Sequence, residues 1–578
     1  MAAKVYHAEG IFFQAFQKEN RPDAFYHDAN LGLAIIADAR IFNRHELINL
    51  LAVTPSISDV HLILLSYKKW GVAAVEKIIG DFTFAIWDQR SQQLFLACDP
   101  FGQRAWYYSH AANYFCFSNF VQPLFEQGRI SRALNSSDIV AAFFPLIREV
   151  GQTFFKYIKC LQPGHYLILK HSHLYTQRYW SADHFKQNPL IYSDAEDYFQ
   201  HFLQSYRETI NEYLNLVPGK IGSHLSGGLD SSSVTSMAAH LLQKKSQKLY
   251  AYSHIPTTGV IAHPKKNYNY CDKLYIQTVA ELYPNIELMY IQDSEQKLFS
   301  YNNKLNPWLA RPVLTCSNLI WLMKIIESAQ AQGIHTLLTG QGGNGTVSWK
   351  GAPPVKAIKN LKAYLGKFKR RLQHWKNPTA GFSVINPRLL HELNVIEKFK
   401  QRLESMQSQS SDVNLMQIFN YGITLTAASY QAAVRLLYDV EHWDPTLDRR
   451  IVEFCLRVPN KIHRFLPGGR SLVRKSLEGI MPKIICDRLS RGMQAADWYK
   501  KIEVQKHEFI TLLNAWKGTH IEEYINLDFL LAKMQQWDFQ RISTSKDKRY
   551  QNYESMYSNT LLPAIEIGLF IQHQNGFK

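Results

Sequence analysis

The stretch Ser226-Gly227-Gly228-Leu229-Asp230-Ser231-Ser232 constrains this chain more than any other. Lys220 to Leu225, before it, reads as a buried parallel strand. Ser233 to Lys244, after it, reads as a helix with Val234, Met237, Ala238, Leu241 and Leu242 on one face. A strand, a glycine turn and a helix N-terminus make an anion site, because backbone N–H groups point outward and the helix dipole favours negative charge. Gly227 and Gly228 let the backbone approach a phosphate closely. Ser226, Ser231 and Ser232 add hydroxyl donors. An aspartate beside an anion calls for a cation, so Asp230 is read as a ligand of phosphate-bound Mg²⁺.

No G-x-x-x-x-G-K-[ST] loop occurs in the chain. The stretch instead resembles the pyrophosphate loop of ATP pyrophosphatases, whose signature is S-G-G-x-D-S-S. A lone Gly-Gly would be an ordinary turn before a helix; the full signature argues otherwise. The resemblance implies that Leu225 to Ser232, with Ser253 and Gly340, hold ATP. It further implies that an acyl oxygen attacks the α-phosphate, giving acyl-adenylate and pyrophosphate.

The neighbouring strands agree with this. Leu249–His254, Glu287–Ile291 and Thr336–Thr339 read as strands, separated by helices over Leu274–Glu281 and Ser317–Gln332. That alternation predicts a doubly wound parallel sheet with its site at the strands' C-terminal ends. A second glycine turn, Gly340-Gln341-Gly342-Gly343-Asn344-Gly345, falls there too. A helix is expected to open this region, with Ser193 as N-cap and Glu196 three residues on. From Ala380 onward the chain reads as helical.

The first 185 residues read as short strands, among them Leu33–Ala37, a Gly80–Asp88 and Leu94–Cys98 hairpin, Tyr114–Ser118 and Gly164–Leu169. Helices are expected near Val60–Lys69 and Gly71–Ile79. The run Asp38-Ala39-Arg40-Ile41-Phe42-Asn43-Arg44, the Gly80–Asp88 strand and Asp99-Pro100-Phe101-Gly102-Gln103-Arg104 keep the order seen in the glutaminase domain of glutamine-hydrolysing asparagine synthetases. The resemblance implies an N-terminal Ntn-hydrolase-like αββα sandwich (1–185). It is followed by an ATP-pyrophosphatase domain of the adenine nucleotide alpha hydrolase-like fold, an α/β parallel sheet with a helical C-terminal part (190–578). In that family the nucleophile is a cysteine at the mature N-terminus. Here position 2 is Ala2, so a degenerate class II amidotransferase domain without glutaminase activity is expected.

The Gly340 turn resembles the family's G-E-G-G-D-E loop, with neutral residues in place of acids. Gln341 can orient groups but cannot act as a base, and Asn344 offers Mg²⁺ only a neutral oxygen. Glu441 matches the glutamate of the family's G-V-E-x-R-x-P-F-L-D, with Pro445 and Asp448 in step, which implies help in activating the attacking amine. The alternative for Glu441 is a buried ion pair with Arg435 or Arg449. Arg488 or Arg491 stands where the family has a lysine on the adenylate and pyrophosphate.

Lys and Arg number 65 against 48 Asp and Glu, a net +17. No zinc-finger spacing or RNA-recognition signature accompanies that charge, so a nucleic-acid partner is not expected. Lys350 to Lys376 is basic without an acid. A solvated helix accounts for it at least as well as a docking patch or membrane-surface contact. Seven scattered cysteines without C-x-x-C indicate neither a disulfide framework nor a zinc site. No signal-peptide core and no bilayer-length apolar run are present, and a cytoplasmic location is expected.

Ala2, the neutral Gln341-to-Asn344 loop and the Arg491-Gly492 to Asp497-Trp498 tail together look most like the divergent asparagine-synthetase relatives that act as lasso-peptide cyclases. That resemblance implies a leaderless precursor peptide as substrate, with a leader peptidase and a leader-binding protein as partners. An ammonia-dependent asparagine synthetase, another small-molecule amide ligase such as a β-lactam synthetase relative, and a catalytically degenerate scaffold are the alternatives.

Overall fold

A computed structural model describes residues 2–576, apart from 9–10, 18–23, 112–113, 127, 145–146, 258, 261–267, 294, 353–383, 409–414 and 544–552. Most of the basic Lys350–Lys376 stretch therefore lies outside the described residues.

Alternating burial builds the N-terminal part. Its six-stranded antiparallel sheet runs in the order His173–Arg178, His165–Lys170, Gln93–Cys98, Gly80–Asp88, Leu33–Ile41, Phe25–Asp28. One face carries Leu33, Ile35, Phe82, Phe84, Ile86 and Phe95 against the Asp59–Trp70 helix. The other carries Ala34, Ala85, Trp87, Leu94 and Leu96 against Trp106, Phe115 and Phe117. The period of two thus fills a helix layer on one side and a three-stranded sheet on the other. The outer side of that second sheet meets the C-terminal helices, where Tyr107, Cys160 and Phe154 share a core with Phe570. The described strands Ala2–Ala8 and Ile11–Gln17 pair only with each other. All seven cysteines are free, with Cys98 buried and Cys116 half-buried.

One turn of this part reaches the second domain. Asp99 accepts N–H bonds from Phe101 at 2.9 Å, Gln103 at 3.1 Å and Arg104 at 3.1 Å. Gly102 takes the left-handed conformation the turn demands, at φ +61°. Wrapped in this way, the turn places the Arg104 side chain beside Asp38 and Glu441.

The Ala195–Leu216 helix that opens the second part is capped one residue later than expected. Asp194, not Ser193, is the cap, and Asp197 completes the capping box. Five parallel strands follow in the spatial order Ile286–Ile291, Leu249–His254, Ile221–His224, Thr336–Leu338, Glu441–Trp443. The last of these corrects the helical reading of this region: three residues are too few to show a period. The Ala195–Leu216 and Leu229–Gln243 helices cover one face over Ile221, Ala251, Leu338 and Trp443. The Cys316–Ala331 helix covers the other, over Tyr252 and Leu337. Among the described residues no helix is long and apolar enough to cross a membrane.

A buried acid marks the helical C-terminal part. Glu566 is almost fully buried and accepts one bond from Asn302 at 2.8 Å. Burial raises its pKa to about 8 from 4.5. The folded state therefore keeps a proton that the unfolded chain releases, and stability is lost as pH rises from about 4.5 through about 8. Glu566→Gln is expected to raise the melting temperature at pH 8 and leave it nearly unchanged at pH 5; an equal shift at both would contradict the protonated carboxyl.

Candidate active site

The Leu229–Gln243 helix begins four residues earlier than the sequence pattern suggests, with Gly228 as its extended N-cap at φ −83°, ψ 160°. Asp230 and Ser231 thus lie in the first helical turn, whose N–H groups have no intrahelical acceptor, while the Ser232 N–H closes the first intrahelical bond to the Gly228 carbonyl at 3.0 Å. Gly227 sits at φ +71°, and a Cβ there would come 2.9 Å from that of Tyr275. Glycine is required on both counts.

The loop is held from within and without. The Ser231 hydroxyl bonds the Ser226 N–H at 3.0 Å and the Ser226 hydroxyl at 2.8 Å. The buried Ser253 hydroxyl donates to the Leu225 carbonyl at 2.6 Å. Arg488 donates to the Gly227 carbonyl at 2.8 Å and to Asp272 at 2.6 Å, and lies 3.9 Å over the Tyr275 ring. Ser253 and Arg488, both expected to face the ligand, here brace the loop. Ser232 is buried, its hydroxyl without a partner among the described residues.

The second glycine turn presses against the first. A Cβ on Gly340 would sit 2.7 Å from the Asp230 carbonyl, and one on Gly343 would sit 2.4 Å from Asp230 Oδ1. That oxygen is buried without a hydrogen-bond partner in the described structure. Burial raises the Asp230 pKa to about 6, against the opposing pull of Ser348 and Arg470. Gln341 and Asn344 are both exposed. The Asn344 side-chain oxygen accepts from Arg470 at 3.1 Å, so it faces a guanidinium rather than an open metal position.

Two residues of this site are given no role in the sequence reading. Asp444 follows the unforeseen strand and accepts from the Gly342 N–H at 2.8 Å and from Thr446 N–H and hydroxyl at 3.0 and 2.5 Å. Burial, with Asp230 adding to it, raises its pKa to about 6. Its one signal is its place between Glu441 and Pro445, at the end of a strand. Arg470, in the left-handed conformation at φ 62°, holds Asn344 and also donates to Ser348 at 3.1 Å. With Arg491 and Lys350 it forms a positive rim; burial first, then Arg491 and Arg470, lower the Lys350 pKa. Arg491 is exposed, in a two-residue strand beside Tyr268–Asn269.

Glu441 is not brought to this site. It opens the strand whose far end carries Asp444, about 10 Å further along. Its carboxylate binds Arg40, lies 3.7 Å from both Arg104 and Arg435, and accepts from the Trp443 indole at 3.2 Å. Of the two arginines weighed as ion-pair partners, Arg435 is the one present; Arg449 pairs with Glu453 at 2.6 Å. No acidic group of the second glycine loop is left to serve as base.

A glycine loop at the carboxyl end of a doubly wound parallel sheet, joined to a two-sheet N-terminal domain, places the candidate site where open parallel sheets bind their ligands. The chain belongs to the asparagine synthase family: residues 218–558 match the asparagine synthase model, and residues 24–180 match a glutamine amidotransferase domain. It is 22% identical over 77% of its length to asparagine synthetase [glutamine-hydrolyzing] 2 of Bacillus subtilis, spanning 60% of that protein. It is 23% identical over 79% of its length to asparagine synthetase [glutamine-hydrolyzing] 3 of the same organism, spanning 76% of it. It is also 24% identical over 49% of its length to the amidase chry2 of Gibberella zeae, spanning 42%.

Proposed function

We propose that the protein is an ATP-dependent, AMP-forming amide ligase whose substrate is a peptide. A side-chain carboxylate is adenylated and the peptide's own N-terminal amine attacks it, closing a macrolactam of the lasso-peptide kind. The first-turn N–H groups of Asp230 and Ser231, with Ser226 and the Arg470 and Arg491 cations, bind the triphosphate. The unpartnered Asp230 oxygen fits one ligand position of a Mg²⁺ ion whose other ligands come from phosphate and water. Such an ion would neutralise charge building on the departing pyrophosphate. Asp444 holds the Gly340 turn against Asp230. The acyl carbon loses AMP as the C–N bond forms, and the amine's proton passes to solvent or to the phosphate of the departing AMP. Intramolecular delivery of the amine supplies the orientation that a positioned base would otherwise provide.

The domain junction carries this reading. Arg104 pairs with Asp38 at 2.8 Å, Arg435 pairs with Asp38 at 2.5 Å, and Arg40 pairs with Glu441 while lying 3.7 Å over the Trp443 ring. Paired charges thus occupy the contact between the N-terminal domain and the sheet, which favours a nucleophile that arrives from solvent with its substrate. A leader peptidase and a leader-binding protein are the partners such a substrate needs. The neighbouring reading, an asparagine synthetase using free ammonia, fits the family equally and differs in product. Mass spectrometry of reactions with Mg-ATP and leaderless core peptides, run beside aspartate with ammonia, separates the two. A peptide lighter by one water, with AMP, is expected; asparagine instead would overturn the peptide assignment.

A further inference from the structure

One surface beside the phosphate loop is not used by the chemistry above. Phe465 is 53% exposed and Leu489 66% exposed, although both are large and apolar. They are linked through the turn that follows Phe465, where the Gly469 N–H donates to the Leu466 carbonyl at 3.0 Å. The Leu489 side chain overlies Gly468, where a Cβ would meet it at 2.8 Å. At neighbouring Gly469 a Cβ would meet the Lys350 carbonyl at 2.5 Å, and at Gly351 one would meet Arg464 Cγ at 2.6 Å. Asn460 ties the far side, accepting the Ala352 N–H at 2.7 Å and donating to its carbonyl at 3.2 Å. Phe465 rests edge-on to Phe199, with centroids 5.7 Å apart.

Cations outnumber acids around these two side chains. Lys350, Lys461, Arg464 and Arg491 are all exposed. Of the acids on this side, Asp487 pairs with Lys483 at 3.2 Å, Glu478 with Lys475 at 3.1 Å, and Glu196 accepts from Gln200 at 2.6 Å. Arg474 is buried and donates to the Arg488 and Pro467 carbonyls, so it belongs to the scaffold. Arg470 and Arg491 face the triphosphate, but Lys461 and Arg464, on and just after the short Asn460–His463 helix, are not needed there. A large exposed apolar pair rimmed by cations is the surface signature of a partner site.

We propose that the patch of Phe465, Leu489, Arg464 and Lys461 docks an acidic, apolar segment of the peptide substrate while its carboxylate enters the neighbouring loop. The proposal rests on the peptide-ligase reading. Glu or Asp side chains of the segment meet Lys461 and Arg464, and a Phe- or Leu-type side chain covers Leu489 and Phe465. Such an anchor outside the reacting centre holds the carboxylate near the adenylation site.

The test is fluorescence anisotropy on the full chain without ATP. The probe is a labelled short peptide alternating Glu with Phe and Leu, read beside the same peptide with Lys for Glu and beside single-stranded poly(U). The acidic peptide is expected to bind, and Arg464→Glu, alone or with Leu489→Ser, is expected to weaken it about tenfold or more. ATP binding, read by equilibrium dialysis, should stay unchanged in both variants. Equal binding of the Glu and Lys peptides, or binding unaffected by the variants, would overturn the docking site. Binding of poly(U) that is lost in the same variants would overturn it in favour of nucleic acid. A peptide that binds here but is never converted in the mass-spectrometric assay would leave docking standing and defeat the ligase reading alone.

Discussion

Asp230→Asn is expected to lower adenylation by about 10²- to 10⁴-fold while making the folded protein more stable. The two effects share one cause. The Asp230 carboxylate is held beneath Gly340 and Gly343 with one oxygen unpartnered, and burial raises its pKa to about 6 from 3.8. Stability linked to this group is complete below pH 3.8 and is lost as pH rises through about 6. At pH 7.5 the wild-type chain therefore carries a buried charge that asparagine does not. The gain should be about 1–3 kcal/mol at that pH and should vanish near pH 4. Pyrophosphate exchange with whichever substrate supports it, measured beside thermal unfolding at both pH values, reads the two effects. Retained exchange would remove Asp230 from the phosphate site. Lost exchange with no stability gain would mean that the carboxylate already has a compensating partner.

Arg104→Ala is expected to cost about 3–5 kcal/mol, because it breaks a buried ionic junction rather than a surface pair. Arg104 is 4% exposed and sits 2.8 Å from Asp38 and 3.7 Å from Glu441. Its removal leaves Asp38, Asp81 and Glu441 sharing Arg40 and Arg435. Asp81, already raised to about 6 by burial, would lose its strongest stabilising neighbour. Arg104→Lys should recover only part of the loss, since one ammonium cannot span both carboxylates as a guanidinium does. Chemical denaturation would show the change as a fall in midpoint. A shift below about 1 kcal/mol would mean that the junction is solvated like an ordinary surface pair.

The pyrophosphate loop, the parallel sheet and the Gly340 turn could be read directly from the sequence, because each rests on a local pattern: a glycine turn, a run of apolar residues, a helical period. The antiparallel layers of the N-terminal part were legible for the same reason, through alternation that the two opposed cores reproduce. Such patterns are set by backbone geometry within a few residues.

Tertiary packing decided the rest. The Glu441–Trp443 strand is too short to announce itself, and only its pairing with Thr336–Leu338 makes it a strand. That pairing carries Asp444 to the phosphate loop and leaves Glu441 at the opposite end, among arginines that come from residues 40, 104 and 435. Arg470 and Asn344 stand 126 positions apart and meet across the turn. The sequence by itself determined which chemistry-bearing groups exist and which backbone turns can hold a phosphate. Which carboxylate packs against the two glycine turns, and which is neutralised at the domain junction, was decided by the folded structure. A charged side chain takes the partner that burial brings nearest, and for Glu441 that partner includes Arg40, 401 positions away in the chain.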